Sequence, residues 1–217
     1  TQRPEGRFDR VVDGAGKVLM PGFVNAHTHL PMTLMRGYGG GCDLHTWLNQ
    51  YIFPAEARLD SRAVAAGAGL GLAEMIASGV TCVADMYMHT GTIAEQILEA
   101  GISANLSCGG VYFGAPEDFS PETCGDCRNQ AALTEEWHGA GAGQILVDAS
   151  VHGEYTSNPP LWRWMAEYAA EHRLGMHVHV SETQSEHQAS LERWGKTPIQ
   201  ALDGCGVWDC GRSLAAH

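Results

Sequence analysis

Basic residues are scarce in this chain. Lys plus Arg number 13 among 217 residues, against 25 Asp plus Glu, for a formal net charge of -12. The basic residues are scattered, so the basic patch that a nucleic-acid backbone binder needs is missing. Apolar residues make up 44%, yet no uninterrupted apolar run is long enough to span a membrane. No charged-then-apolar leader precedes a small-residue cleavage site, so nothing marks secretion and a cytoplasmic setting is expected. No G-x-G-x-x-G follows a strand, which removes the dinucleotide-binding signature of open doubly wound sheets. The cysteines number seven. An odd count at irregular spacing argues against a disulfide framework and for a reducing compartment. Cys124-x-x-Cys127 could be half of a zinc knuckle or a redox pair, but Cys205 and Cys210 lie about 80 residues further on. Unpaired thiols in loops are the expected reading.

What is present is an alternation. Arg10 to Met20 reads as two short strands around a Gly turn, Pro21-Gly22 as a turn, and Phe23 to His27 as a short strand. Helical stretches follow at Leu59–Ser78, Gly91–Ala100, Ala131–Ala140, Pro160–His172 and Ser185–Trp194. Short apolar strands separate them: Val80–Asp85, Ile102–Ser107, Ile145–Ser150, Met176–Val180 and Ser213–His217. Strand-helix alternation with short apolar strands implies a parallel sheet covered by helices. Polar and ionisable groups gather at the C-terminal ends of several strands, which favours a (β/α)8 TIM barrel with its site at that face. A closed barrel needs eight strands and about 250 residues. The six strand positions here are therefore read as its incomplete N-terminal portion, residues 21–217, with the remaining strands expected from a missing part of the chain. The sequence starts without Met, which fits a fragment.

Histidines supply the chemistry. His27 and His29 are two apart on a strand, so both side chains share one face. Two imidazoles converging at the top of a barrel can bind one ion, and zinc sites with an open position use about three protein ligands plus water. His177-x-His179 repeats the spacing on the fifth strand. Glu182 stands three residues past His179, where a carboxylate can move a proton between water and leaving group. Read alone, Glu182 would be a surface residue or part of a helix cap. His152 and His217 close the fourth and sixth strands and could hydrogen-bond substrate or water.

The stretch Pro21-Gly22-Phe23-Val24-Asn25-Ala26-His27-Thr28-His29-Leu30-Pro31-Met32, the later Leu34-Met35-Arg36-Gly37, the His179…Glu182 pattern and Leu214-Ala215-Ala216-His217 resemble the amidohydrolase superfamily. More narrowly, they resemble its branch of chlorohydrolases and amino-heterocycle deaminases, which includes the S-adenosylhomocysteine and methylthioadenosine deaminases. The resemblance implies that His27, His29 and His179 hold one divalent ion, zinc or else iron, with a further Asp ligand after the eighth strand. It implies Glu182 as proton shuttle and His217 as support for water and substrate. It matches Glu56 to a ribose-contacting Glu, His152 to a substrate-contacting histidine and Arg128 to a second substrate Arg. Residues 1–20 would belong to a flanking β-sandwich, and a homodimer or larger oligomer is suggested.

One departure stands out. The homocysteine-accepting enzymes tend to carry, after the third strand, an Arg that receives the substrate carboxylate, and Cys108 occupies that place here. Losing a bidentate Arg removes a specific carboxylate clamp. The expected reaction is hydrolytic deamination of an amino-heterocycle, an adenosine- or methylthioadenosine-like nucleoside, with release of ammonia. The alternatives are a chlorohydrolase or cyclic amidohydrolase with the same site, an inactive barrel used for binding, and, more distantly, a redox or zinc-knuckle module built on the cysteines.

Overall fold

The structure, a computed structural model, describes residues 5–217. Strands β1 (Phe23–Thr28), β2 (Val80–Met86), β3 (Ser103–Ser107) and β4 (Ile145–Val147) form one parallel sheet in that order. Strands β5 (Ala149–Gly153), β6 (Met176–His179) and β7 (Ser213–Ala216) form a second. The two are continuous in space. Asp148 N–H donates to the Leu106 carbonyl, and Gly110 bridges to Val151, with His152 N–H donating to the Gly110 carbonyl. Residues 145–153 thus follow one path that pairs first with β3 and then with β6. The order is that of the leading part of a (β/α)8 barrel.

The major helices lie between the strands: α1 (Ser61–Ala77), α2 (Thr90–Ala100), α3 (Gly125–Trp137), α4 (Pro159–His172), α5 (Gln184–Trp194) and α6 (Pro198–Asp203). Local chemistry sets their ends. The Asp60 side chain accepts from Ala63 N–H at the start of α1. Thr183 with Glu186, and Thr197 with Gln200, form capping boxes on α5 and α6. Gly101 and Gly195, both in the left-handed region, end α2 and α5.

Two apolar clusters hold the layers together. Val64, Ala68 and Leu72 of α1 and Ile93 and Ile97 of α2 pack on Val83, Leu106 and Ile145. Trp162, Met165 and Ala169 of α4 pack on Val151, Met176 and Val178 with Leu202. Gly67 is required where it stands: a Cβ there would lie 2.5 Å from the Pro31 carbonyl oxygen. This lets α1 press directly on the turn Leu30–Met35 that follows His29.

Several expectations are corrected. Arg10–Met20 holds no strand, and residues 5–24 are all exposed. The supposed single strand Ile145–Ser150 is broken at Asp148, whose buried carboxylate accepts from Gly175 N–H at 2.9 Å and pairs with Arg212 at 2.5 Å. Residues 30–56, unassigned from the sequence, wind through short helical turns ending at Phe53–Glu56. The third helix starts at Gly125 rather than Ala131, which places Cys127 on α3 and not in a loop. Among the described residues, no helix is long and apolar enough to cross a membrane.

Candidate metal centre and active site

The C-terminal ends of β1, β2, β3, β5, β6 and β7 meet around a cleft of about 680 Å³. Its wall includes His27, His29, Glu56, Cys108, His152, His179, Glu182 and His217, with apolar Trp47, Ile52, Phe53, Met86 and Phe113. Period two on β1 brings His27 and His29 to one side as the sequence requires, with ring centroids 4.8 Å apart. The His27 ring lies 4.7 Å from that of His179 and 5.2 Å from that of His217. His27 Nε2 and His179 Nε2 are 3.0 Å apart. Among the described residues, one group of three or more potential metal-ligating side chains falls within mutual reach, and it is His27, His179 and His217, with ligand atoms within 4.8 Å of one another. His29 stands beside that group, 5.1 Å from the His179 ring, and its Nδ1 meets the Met86 carbonyl at 2.5 Å. A carbonyl only accepts, so Nδ1 carries the proton and Nε2 keeps its lone pair. This is the usual bearing of a ligating histidine.

Electrostatics favour a cation. Burial, reinforced by the neighbouring imidazoles, lowers the pKa of His27 and His152 to about 4 and that of His177 to about 3. The same causes push His179 down strongly. His29 is also lowered by burial, although its Met86 hydrogen bond opposes this. Near neutral pH these rings are uncharged, with lone pairs available. A set of neutral imidazoles with a carboxylate at hand suits zinc or iron(II). The residues present therefore fit a divalent ion.

Glu182 is half-buried at the rim. Burial raises its pKa, His217 lowers it and Glu186 raises it again. Its Oε2 lies 3.9 Å from His217 Nε2. Its backbone is fixed: the Glu186 carboxylate accepts from Ser181 N–H at 2.9 Å and Glu182 N–H at 2.7 Å, and Ser181 sits in the left-handed region at φ 58°. The capping box belongs to Thr183 and Glu186, which leaves the Glu182 side chain free of that role. His152 Nδ1 pairs with Thr156 Oγ1 at 3.0 Å, and its ring lies 4.8 Å from that of His179. Glu56 is 8% exposed, and burial raises its pKa.

Arg128 is not brought to the cleft. It is exposed on α3, with its guanidinium donating to the Glu122 carbonyl. All seven cysteines are free. Cys124 and Cys127 are buried against the cluster around Trp162, with Cys205 and Cys210 partly buried against it. The sequence alone assigned no role to two buried groups near the site. Asp85 is fully buried; its Oδ1 accepts from Leu30 N–H at 2.6 Å, while Oδ2 has no partner. His177 is the other. The H-x-H spacing flagged it, and its part emerges below.

A parallel strand-helix array with a histidine cluster and a carboxylate at its C-terminal face is the arrangement of a (β/α)8 barrel with its site at that face. Residues 18–217 match the amidohydrolase family, and the chain belongs to it. It is 37% identical over 214 residues to a 5-methylthioadenosine/S-adenosylhomocysteine deaminase of Syntrophomonas wolfei, covering 99% of this chain and 48% of the relative. It is 41% identical over 212 residues to a 5'-deoxyadenosine deaminase of Methanothermobacter thermautotrophicus, covering 98% and 48%. An adenosine deaminase from Xanthomonas campestris, solved with bound zinc, superposes with a TM-score of 0.77 at 30% identity, over 87% of this chain and 42% of that one. The chain spans about half the length of the curated relatives it matches.

Proposed function

We propose that the full protein is a metal-dependent hydrolytic deaminase of adenosine-type nucleosides, and that residues 21–217 carry the leading part of its barrel. The observation that carries this reading is the convergence of His27, His179 and His217 on one point beside Glu182. His27, His29 and His179 are assigned as protein ligands. A bound ion would lower the pKa of a water toward neutrality, and zinc is assigned because the Xanthomonas campestris relative holds it.

The chain's own residues do the rest. Glu182 accepts the proton of the attacking water and delivers it to the ring nitrogen beside the amino-bearing carbon. The water oxygen bonds to that carbon. The hydroxyl proton of the adduct then passes to the amino group, the carbon–nitrogen bond breaks, and ammonia leaves with the ring converted to a lactam. His217, 3.9 Å from the Glu182 carboxylate, orients the water. Glu56 is assigned to the ribose hydroxyls, and His152 to the substrate.

Selectivity follows from the wall. Among the described residues lining the cleft, Glu56, Asp126 and Glu182 are acidic, and none is Lys or Arg. Cys108 lines the cleft just after β3, its pKa pushed up to about 12 by burial, so it is an uncharged thiol. This lining favours an uncharged 5' substituent, as in 5'-deoxyadenosine or methylthioadenosine, over one bearing a carboxylate. The exposed Val11, Val12, Val18 and Leu19 support assigning residues 1–20 to a flanking β-sandwich. The free cysteines are in keeping with a cytoplasmic enzyme.

The test is ammonia release by the full-length, zinc-replete protein from 5'-deoxyadenosine, methylthioadenosine, S-adenosylhomocysteine, guanine and cytosine. The expected result is turnover of the first two with a higher kcat/KM than S-adenosylhomocysteine. No ammonia from any of them, with turnover of a chlorinated ring or a cyclic amide, would replace the deaminase reading.

A further inference from the structure

His177 has no role in the reading so far, yet it touches a proposed ligand. It is fully buried on β6, and its two ring nitrogens face different strands. Nε2 lies 2.8 Å from His27 Nδ1 on β1, and Nδ1 lies 3.1 Å from Ser107 Oγ on β3. Ser107, also fully buried, donates from Oγ to the Asp85 carbonyl at 3.3 Å. These contacts make a chain of four groups across the barrel interior.

We infer that His177 is a positioning residue for the metal, and that Ser107 and the Asp85 carbonyl lock its tautomer so that His27 presents a lone pair at Nε2. The inference rests on the metal site assigned above. The chain has one consistent direction when His27 binds an ion through Nε2. A neutral imidazole with its lone pair at Nε2 carries its proton on Nδ1. That proton is donated to His177 Nε2, which must therefore be bare, so His177 carries its own proton on Nδ1. Nδ1 donates to Ser107 Oγ, and Ser107 spends its hydroxyl proton on the Asp85 carbonyl, which can only accept. Every donor and acceptor in the chain is then used once. In the reversed order His27 Nε2 would carry a proton facing His179 Nε2, and the Asp85 carbonyl would lose the hydroxyl. A ligating histidine ordinarily rests its second nitrogen on a carboxylate, a carbonyl or a water. His29 does so directly on Met86. His27 instead reaches a carbonyl through an imidazole and a hydroxyl.

The test uses the full-length protein and four forms: unaltered, His177→Phe, His177→Gln and Ser107→Ala. Zinc affinity is measured by competition with a chromogenic chelator, and unfolding of the zinc-free forms is measured alongside. The expected loss for His177→Phe is about 10- to 100-fold in affinity, the usual cost of removing a group that orients a ligand. Ser107→Ala is expected to fall between it and the unaltered protein. His177→Gln, which keeps an acceptor for His27, recovers most of the affinity. Long-range proton–nitrogen NMR of the zinc-loaded protein should find His177 protonated at Nδ1. If the unaltered protein takes up no zinc, the metal reading itself fails and this inference with it. If it binds zinc, and His177→Phe and Ser107→Ala bind it within twofold as tightly, the positioning role alone is wrong. A Gln variant as weak as Phe means that His177 acts through packing, and a proton at Nε2 means that the chain runs the other way. Either result overturns the inference. Should the Phe variant fail to fold, Ser107→Ala, His177→Gln and the NMR spectrum decide.

Discussion

Asp85→Asn is the substitution whose effect the structure fixes most closely. Asp85 lies one residue before the end of β2, fully buried, and holds Leu30 N–H through one oxygen while the other oxygen is unpartnered. Burial raises its pKa from the ordinary 3.8 to about 7, opposed only by the Leu30 hydrogen bond. Because the folded pKa lies above the unfolded one, the folded state binds more protons between those values, and stability is lost as pH rises from about 4 to about 7. Each pH unit of difference corresponds to about 1.4 kcal/mol, so ionisation costs the folded state at most about 4 kcal/mol, of which about 3 falls between pH 5 and pH 8. Asparagine keeps the oxygen that meets Leu30 but buries an amide N–H₂ without an acceptor, a pH-independent cost of about 1–3 kcal/mol. The variant should therefore be the less stable form at pH 5 and gain about 3 kcal/mol on the natural protein by pH 8. The buried histidines have lowered pKa values, so they cost stability as pH falls below about 6.5, but this is common to both proteins and cancels in the difference. Urea unfolding of chelator-treated protein at a series of pH values measures it. A difference between the two proteins that stays flat from pH 5 to pH 8 would refute the reasoning.

Other perturbations are sharper tests of particular contacts. Gly67→Ala gains about 1 kcal/mol of helix propensity but sets a methyl 2.5 Å from the Pro31 carbonyl and 2.9 Å from its Cα. Overpacking of about 1–3 kcal/mol should win, and a raised melting temperature would show that α1 does not press on that turn. Glu182→Gln should retain zinc while kcat falls by about 10²- to 10⁴-fold; activity within tenfold of the natural protein would remove the residue from proton transfer. Arg128→Ala should leave KM within about twofold, since the guanidinium is exposed and bonded to the Glu122 carbonyl. A large rise in KM would place it at the substrate after all.

The parts of this molecule that were legible in the sequence are those set by short-range pattern. Apolar runs such as Val80–Asp85 and Met176–Val180 are too short and too apolar to be anything but buried parallel strands, and they are found as β2 and β6. Period two alone put His27 and His29 on one face. What escaped depends on distant partners. The break at Asp148 exists because Arg212, 64 residues later, and Gly175 N–H hold its carboxylate. The short helical turns between Leu30 and Glu56 lack a clean 3.6-residue stripe; Leu30–Met35 packs on α1 and the later turns pack on one another. Val11, Val12 and Val18 are β-branched as strand residues often are, but no described strand pairs with them. His177 looked like half of a second ligand pair. Its contacts to β1 and β3 cross the barrel interior, so no local spacing could reveal them.

The central claim is that this histidine cluster holds an ion that makes the full protein a deaminase. The most direct measurement is ammonia release from 5'-deoxyadenosine by the full-length protein as isolated, after removal of metal by a chelator, and after return of one equivalent of zinc. The account predicts release, loss and recovery in step with the zinc content. Ammonia release that persists in the metal-free protein, or no release from zinc-replete protein with any adenosine-type nucleoside, would contradict it.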